Sequence, residues 1–323
     1  MNRAVALLSA LLALVPATAA LSAEYPTRAI RMIVPFNAGG TATILARAIT
    51  NGAEPILNQN FVIDNRGGAN GIIGTQLVVN AAPDGYTLLH VSTSIAINPS
   101  VYKKLPYDTL KDLEPVTIVA RGAGYVLLAS SSFGAESVKD LIALAKKPGS
   151  HVAYGSGGVG NSTHLVAEMF SQAASVKMTH VAYKGVAPAI NAVLGGEVQI
   201  MFIPPTIAVP HIKGGKLRAL GFTGESRWSV LPDVPTMAES GLPGFSKDSG
   251  WNAWLAPKGT PPAILRTLQQ AAHAAVHSPK ISSILNAGGY DPLANPPAEA
   301  RKFLESEIDV YSKIVNAVGI TPQ

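Results

Sequence analysis

The chain is 323 residues long, with 47% hydrophobic residues, 14% charged residues and no cysteine. At about 150 residues per domain it is long enough for two packed domains, which excludes disorder as the main state. The absence of cysteine excludes disulfide scaffolds, thiolate zinc sites and cysteine nucleophiles. The net charge of +5 is spread without a run of basic residues or interleaved aromatic residues, so we expect no nucleic-acid partner.

The first 23 residues have the pattern of a secretory signal peptide. Arg3 supplies a positive charge, Ala4–Val15 is uncharged and apolar, and Ala17–Ala19 forms an A-x-A cleavage pattern. A membrane anchor is the alternative, but the stretch is interrupted by Pro16 and is shorter than the roughly 20 residues needed to span a bilayer. We therefore expect residues 1–23 to be removed and the mature protein to reside in the periplasm.

The first half of the mature chain alternates short apolar runs with amphipathic stretches. Ile30–Phe36 is a predicted strand, the turn Asn37–Gly40 follows it, and apolar residues then recur at helical spacing over Ile44–Ile49. Phe61–Asp64 and Tyr86–Val91 are further predicted strands. This alternation predicts an α/β fold built on parallel strands.

The second half repeats the same arrangement with different residues. A predicted helix spans Ser137–Lys147, and a strand follows over His151–Tyr154. The glycine-rich turn Gly155–Asn161 then opens a helix over Ser162–Ala173. Two helix N-termini therefore follow directly on strands, where backbone N–H groups and the helix dipole favour anions. We expect a ligand at these strand ends.

The second glycine turn also fits a nucleotide fingerprint, because Gly155, Gly157 and Gly160 are spaced as G-x-G-x-x-G. That motif needs an acidic residue about 20 positions further on, and Lys177–Lys184 contains none. A tight turn without any ligand is an equally good interpretation of either turn taken alone, and the occurrence of two such turns weighs against it.

Enzyme chemistry has weak support in the sequence. An esterase or lyase using Ser156 with His164 is the rival reading, but Tyr154 stands where the G-x-S-x-G nucleophile elbow needs a glycine. His273 and His277 have the i, i+4 spacing of zinc ligands without the intervening Glu, and they are expected on a solvated helix face. The residues alone leave an enzyme open but supply no catalytic set, and we expect no metal and no cofactor.

Eight blocks distributed over the mature chain carry a family resemblance. They are YPTRAIRMIVPFNAGG (residues 25–40), DNRGGANGIIG (64–74), APDGYTLL (82–89), YGSGGVGNSTHL (154–165), HVAYKGVAPAINAVLGGEVQIMF (180–202), GGKLRALGFT (214–223), RWSVLPDVPTMAESG (227–241) and APKGTPPAIL (256–265). In this order they resemble the Bug family, the extracytoplasmic solute receptors of tripartite tricarboxylate transporters.

The resemblance implies a fold and a partner, and it implies a binding protein without catalytic activity. The fold is that of a two-lobed, type II periplasmic binding protein, in which each lobe is a mixed sheet flanked by helices and the ligand lies in the cleft between lobes. Lobe 1 would be residues 24–122 plus 251–323, and lobe 2 residues 123–250. The implied partners are a small carboxylate and the membrane subunits of the transporter, with a sensor protein as the alternative, and the protein itself is expected to be a monomer.

The resemblance also implies a set of ligand-binding residues. The first glycine loop would hold one carboxylate, the second loop would meet the far end of the ligand, and the residues after Val91 would line the cleft. Carried onto this chain, the set is Phe36, Asn37, Ala38, Gly39, Gly40, Thr41 and Thr43; Ser92, Thr93 and Ser94; Ser156, Gly157, Asn161, Ser162 and His164; and Ile203 with Pro204.

Two departures from the family pattern bear on the ligand. Thr43 and Ile203 stand where many relatives carry Asp, so both acidic positions are neutral here. The loss of two carboxylates favours a dianion that has no amine, because like charges repel strongly in a poorly solvated site. With Phe36 and Pro204 as an apolar wall, we expect an aromatic dicarboxylate such as terephthalate. An aliphatic di- or tricarboxylate, and residues that only brace the hinge, remain the alternatives.

Overall fold

The structure is a computed structural model that describes residues 25–322, so the predicted signal peptide lies outside the described residues. Within that range the strands are β1 (Ile30–Val34), β2 (Phe61–Asn65), β3 (Thr87–Ser92), β4 (Leu113–Gly122), β5 (Val126–Ser130), β6 (Ala153–Ser156), β7 (Thr179–Ala182), β8 (Ile200–Ile203), β9 (Leu217–Phe222), β10 (Trp251–Pro257) and β11 (Tyr290–Pro292).

The helices alternate with these strands over most of the chain. They are α1 (Thr41–Leu57), α2 (Ile72–Val79), α3 (Ser94–Val101), α4 (Val138–Ala145), α5 (Ser162–Ala174), α6 (Val186–Leu194), α7 (Pro205–Lys213), α8 (Pro262–His277), α9 (Pro279–Ala287) and α10 (Pro297–Ala317). Both helices that follow a glycine turn, α1 and α5, begin where the sequence predicts. Of the helices formed by residues 25–322, none is long and apolar enough to span a bilayer.

The strands form two separate sheets, one in each lobe. The first has the order β11-β4-β10-β3-β1-β2, and the second has the order β7-β6-β8-β5-β9. Strands β1, β2 and β3 are parallel, as are β6, β7 and β8. Strand β10 is antiparallel to both of its neighbours, and so is β5. The parallel strands that the alternation predicts are present in both sheets, and the mixed sheets that the family resemblance implies are confirmed.

Each sheet is covered by helices on both faces. In the first lobe, α1 and α8 pack through Leu45, Ile49 and Leu268 against one face, where Trp254 of β10 is fully buried. Helix α1 can do so because its buried residues recur every three to four positions. In the second lobe, Phe170 of α5 packs on Phe202 of β8 with ring centroids 5.4 Å apart.

The chain passes twice between the sheets, after β4 and before β10. The two passages are adjacent, because the Gly122 N–H donates to the Gly250 carbonyl at 2.7 Å. A Cβ at position 122 would lie 1.8 Å from Ser249 Oγ, so this contact requires glycine. The division of the lobes at residues 122/123 and 250/251 is our proposal, supported by the change of sheet at both points.

Candidate ligand-binding cleft

A cleft lies between the lobes at the carboxyl ends of their parallel strands. Nine of the predicted binding residues line it: Phe36, Asn37, Gly40, Thr41, Ser92, Thr93, Asn161, Ser162 and Pro204. This is the position at which open α/β sheets bind ligands, because the loops and helix N-termini that follow the strands face the same way.

Helix N-termini from both lobes meet in the cleft. Gly40 precedes α1 and Gly185 precedes α6, and neither residue provides a side-chain cap for its helix. Asn161 precedes α5, and its Oδ1 accepts the Thr163 N–H at 3.1 Å. Backbone N–H groups at α1 and α6 are therefore left for a ligand, and the positive ends of the helix dipoles favour an anion there.

The cleft carries no charged side chain among the described residues that line it. An anion would consequently be held by dipoles and neutral donors rather than by an ion pair. Lys184, in the loop before α6, does not line the cleft, and its carbonyl accepts a hydrogen bond from Asn37 Nδ2 at 2.8 Å. A lining without negative charge would not repel an anion.

Thr43 braces the first loop and does not line the cleft. Its hydroxyl oxygen accepts a hydrogen bond from Asn65 Nδ2 at 2.8 Å, and the same amide nitrogen donates to the Phe36 carbonyl at 2.9 Å. Only 4% of Thr43 is exposed. The predicted role of this hydroxyl in holding a carboxylate is therefore replaced by a role in holding the loop.

The second loop is organised around Asn161 and Thr163. Thr163 Oγ1 donates to Asn161 Oδ1 at 2.9 Å and accepts the Gly157 N–H at 3.0 Å. The Gly160 N–H donates to Nδ1 of His164 at 3.2 Å. His164 thus faces the back of the loop, and it does not line the cleft. Of the predicted members of this loop, Asn161 and Ser162 line the cleft.

His164 belongs to a buried stack behind the second loop. Its ring lies parallel to that of His180 with centroids 3.9 Å apart. Burial lowers the pKa of His164 to about 3, with a further contribution from His180, and burial lowers the pKa of His180 to about 4. Both rings are therefore neutral at physiological pH.

Ser156 pairs with His180 rather than with His164, at 2.6 Å between Oγ and Nε2. Strand pairing explains the choice, because β6 and β7 are parallel neighbours and bring Tyr154 opposite His180. Ser156 is fully buried and does not line the cleft. This serine–histidine pair is consequently out of reach of a ligand, which removes the geometric basis of the enzyme alternative.

The other predicted residues lie near the cleft without lining it: Ala38, Gly39, Ser94, Gly157 and Ile203. Ile203 is fully buried, paired with Val126 in the second sheet, and packs in the core of that lobe. Of the expected apolar wall, Phe36 and Pro204 face the cleft and Ile203 does not. Successive side chains of a strand point to opposite faces of the sheet, and the side chain of Ile203 points to the face that packs in the core of the second lobe.

Half of the lining was missed by sequence reasoning. It comprises Ala42, Thr163, Gly185, Val186, Ala187, Ser249, Trp251, Asn252 and Tyr290. The last four belong to the second passage and to strands β10 and β11, far from either glycine turn in sequence. One signal existed, since Asn252 is the single amide within the otherwise apolar run Trp251–Pro257.

Two hydrogen bonds hold Trp251 in position. The Trp251 indole N–H donates to Glu307 on α10 at 2.7 Å, and the Trp251 backbone N–H donates to Thr93 Oγ1 at 3.0 Å. Gly250 lies between them with φ +77°, and a Cβ there would meet Thr93 Oγ1 at 2.2 Å. The end of β3 and the start of β10 therefore form one rigid floor of the cleft.

Two mixed sheets with a neutral, helix-capped cleft between them define a two-lobed solute-binding protein. The chain belongs to the tripartite tricarboxylate transporter family receptor group, whose family description matches residues 45–320. This confirms the predicted family and a binding protein rather than an enzyme.

Named relatives agree with that assignment. Protein BugT of Bordetella pertussis (strain Tohama I) is 35% identical over 322 residues, covering 99% of this chain and 98% of BugT. The solved structure of the periplasmic binding protein BugD has a TM-score of 0.88 at 32% identity, covering 93% of this chain and all of BugD. R. palustris Rpa4515, solved with adipate, has a TM-score of 0.89 at 33% identity over the same shares.

Proposed function

We propose that this protein binds an aromatic dicarboxylate, with terephthalate as the preferred ligand, and delivers it to the membrane subunits of a tripartite tricarboxylate transporter. The observation that carries the proposal is the convergence of the N-termini of α1, α5 and α6 on an uncharged cleft. Each lobe supplies at least one of these termini, so a ligand with a carboxylate at each end would hold the lobes together.

The apolar part of the lining supports a flat, apolar middle for this ligand. Phe36, Val186, Pro204 and Trp251 present carbon surface between the helix N-termini. An aromatic ring would bury more apolar area against these side chains than a short polar chain would. The support comes from these lining residues and not from Thr43 or Ile203, which do not face the cleft.

Adipate is the second candidate ligand, because the similar R. palustris Rpa4515 was solved with it. Adipate also carries two terminal carboxylates on an apolar spacer, and it differs from terephthalate in flexibility. A rigid ligand loses less conformational entropy on binding, so we expect terephthalate to bind more tightly if the apolar walls are matched to a ring.

The test is a thermal-shift and calorimetric panel on mature protein comprising residues 24–323. The ligands are terephthalate, adipate, citrate, benzoate and an acidic amino acid. A ligand at 100 times its Kd adds about 2.7 kcal/mol to the free energy of unfolding. We expect the largest shift with terephthalate and little with benzoate, which lacks the second carboxylate. Binding of citrate or amino acids alone would refute the proposed ligand, and binding of no carboxylate would refute the proposed function.

Delivery to a transporter needs a cellular test, because a receptor of this kind could equally serve a sensor. Deleting the gene should abolish uptake of labelled ligand by intact cells, and a copy lacking only residues 1–23 should fail to restore it. Uptake that persists while a transcriptional response to the ligand is lost would favour the sensor alternative.

A further inference from the structure

The segment that runs from the end of β2 to α2 contacts both glycine loops although it does not line the cleft, and we call residues 65–71 the bridging loop. One end is bonded to the first glycine loop, where Asn65 Nδ2 donates to the Phe36 carbonyl at 2.9 Å. The middle packs against the same loop, because a Cβ at Gly67 would lie 2.3 Å from Oδ1 of Asn37. The bridging loop is therefore part of the first lobe and supports the first glycine loop.

The other end of the bridging loop faces the second lobe. Asn70 Oδ1 accepts a hydrogen bond from Asn161 Nδ2 at 3.4 Å. Asn70 follows β2 of the first sheet and Asn161 follows β6 of the second, so this bond joins the two lobes. A contact of this kind exists only while the lobes are together.

Asn98 fixes the orientation of the Asn70 side chain within the first lobe. Asn98 lies on α3 and is 1% exposed. Its Nδ2 donates to the backbone carbonyl of Asn70 at 3.2 Å, and its Oδ1 accepts from Asn70 Nδ2 at 2.8 Å. Because a carbonyl can only accept, the Asn98 amide nitrogen must face it, and Asn98 Oδ1 then faces Asn70 Nδ2. The oxygen of the Asn70 amide is thereby turned toward the second lobe.

The Asn161 amide is oriented independently, from within the second lobe. Its Oδ1 accepts the Thr163 backbone N–H at 3.1 Å. Because a backbone N–H can only donate, the amide oxygen must face α5 and the amide nitrogen must face Asn70. The two lobes therefore present an acceptor and a donor to each other, and each is set by a backbone group of fixed polarity.

The Asn161 amide nitrogen also has a hydrogen to offer in the cleft. Nδ2 carries two hydrogens, and the bond to Asn70 uses one of them. The other is available to an acceptor in the cleft, which Asn161 lines. An amide held at its oxygen by Thr163 and at its nitrogen by Asn70 cannot rotate without losing both bonds. Hydrogen bonds from behind thus preorganise this donor for a ligand.

We propose that Asn70 is a positioning residue for ligand binding: it takes one hydrogen of the Asn161 amide when the lobes close, and the other hydrogen is then donated to a carboxylate oxygen of the ligand. Asn98 acts through Asn70, because it fixes which atom of Asn70 faces the second lobe. The inference rests on the proposed function and links recognition of the carboxylate to closure. A donor at this point favours a carboxylate over an ammonium group, which has no acceptor to offer.

The first experiment removes the Asn70 side chain and measures affinity for terephthalate and adipate by calorimetry. Glycine fits the left-handed backbone at this position (φ +48°, ψ +37°), and Asn70→Gly should weaken binding by about two- to tenfold, the effect of one hydrogen bond. Asn70→Ala restricts the backbone that glycine frees, and it should weaken binding to the same extent. Agreement between the two variants assigns the loss to the side chain.

Asn58→Gly and Asn58→Ala are the matched controls. Asn58 has nearly the same backbone conformation (φ +50°, ψ +35°) and is exposed at the end of α1, outside the cleft. Affinity in both controls should equal that of wild type. Urea denaturation of the ligand-free variants measures separately the stability that is lost with the bond between Asn70 and Asn98.

The link between the lobes is tested by Asn161→Ser. Serine keeps a side-chain oxygen for the Thr163 N–H, but it has no amide group to reach Asn70. Asn70→Gly should therefore have no further effect on affinity in the Asn161→Ser background. A residue that merely braced the first lobe would weaken binding equally in both backgrounds, and that result would overturn the proposed role of Asn70.

The outcomes separate the two proposals. Binding of terephthalate or adipate by wild type, with unchanged affinity in both Asn70 variants, would overturn the inference and leave the proposed function standing. Weaker binding in the Asn70 variants that disappears in the Asn161→Ser background would support it. Failure of wild type to bind any carboxylate of the panel would overturn both proposals together.

Discussion

Asn37 and Lys184 join the two lobes across the mouth of the cleft. The Asn37 side-chain amide, on the first glycine loop, donates to the Lys184 carbonyl, in the loop before α6, at 2.8 Å. Because the bond exists only when the lobes are together, it stabilises the closed form selectively. A ligand that favours the closed form and this bond therefore act on the same equilibrium.

Replacing Asn37 by Ala should weaken ligand binding by about two- to tenfold, since a typical hydrogen bond contributes about 0.5–1.5 kcal/mol. Calorimetry measures the change. Asn80→Ala is the control, because Asn80 is exposed at the end of α2 and away from the cleft. Equal affinities for Asn37→Ala and wild type would show that the bond does not contribute to closure.

Gly160 permits the close approach of the lobes on the other side of the cleft. Its φ is +72°, and a Cβ there would lie 2.7 Å from Cγ1 of Val101 on α3. Gly160→Ala should therefore lower ligand affinity by about ten- to a hundredfold, given that overpacking costs about 1–3 kcal/mol. Adding Val101→Ala should restore part of the loss, with a remainder from the strained φ.

Gly134→Ala is the matched control for this pair, because no atom lies within 4 Å of its Cβ position. Circular dichroism of the ligand-free variants separates a folding defect from a closure defect. Full affinity in Gly160→Ala would contradict the assigned contact between the lobes.

Thr43→Val should reduce stability without creating a new ligand preference. The change leaves one Asn65 N–H of the first loop without its acceptor, and an unsatisfied buried donor costs about 1–3 kcal/mol in the free energy of unfolding. Thr43→Ser keeps the hydroxyl and should recover most of that loss in urea denaturation. A selective change in affinity for amine-bearing ligands would instead return Thr43 to the binding surface.

Stability should fall on mild acidification because the buried His90 and His164 and the half-buried His180 are all neutral rings in the folded protein. The pKa of His90 and of His164 is lowered to about 3, and that of His180 to about 4, chiefly by burial. The unfolded chain takes up these protons near pH 6.5, so it binds more protons than the folded chain below that pH. The contribution to stability is complete above about pH 6.5 and is lost progressively toward pH 4.

Each histidine contributes at most about 1.4 kcal/mol per pH unit to this slope. His180→Gln should flatten the dependence of the free energy of unfolding on pH between 6.5 and 4.5, as measured by urea titration at several pH values. His273→Gln, at an exposed position on α8, should leave the slope as in wild type. A slope that is the same in both variants would place the titrating groups elsewhere.

The sequence was most informative where a local rule determines the structure. A turn of small residues after an apolar run requires a tight connection, so the starts of α1 at Thr41 and of α5 at Ser162 were predictable. The sequence did not predict contacts that depend on which strands pair. Tyr290 reaches the cleft only because β11 pairs with β4, and His180 reaches Ser156 only because β7 pairs with β6.

Side-chain direction was the other source of error. Thr43 lies in the first turn of α1, and whether its hydroxyl faces the cleft or Asn65 depends on the rotation of the helix against the sheet. That rotation is set by Leu45, Ala46 and Ile49 packing in the core, which a motif does not encode. The prediction also placed Ile203 in the cleft, whereas its side chain packs in the core of the second lobe. A shift of one position along a strand turns the side chain to the other face of the sheet, and a motif does not specify that position.

The position of the second sheet in the sequence, between Gly122 and Gly250, determines the order in which the two lobes are synthesised. The whole second sheet is translated between these two glycines, before β10 exists. In the finished first sheet β10 lies between β3 and β4, and β11, the other neighbour of β4, follows β10 in the sequence. Until residue 257 has been made, β4 therefore has no partner strand and one edge of β3 is bare. A chain halted between residues 250 and 257 would carry all the strands of the second sheet beside a first sheet still open between β3 and β4.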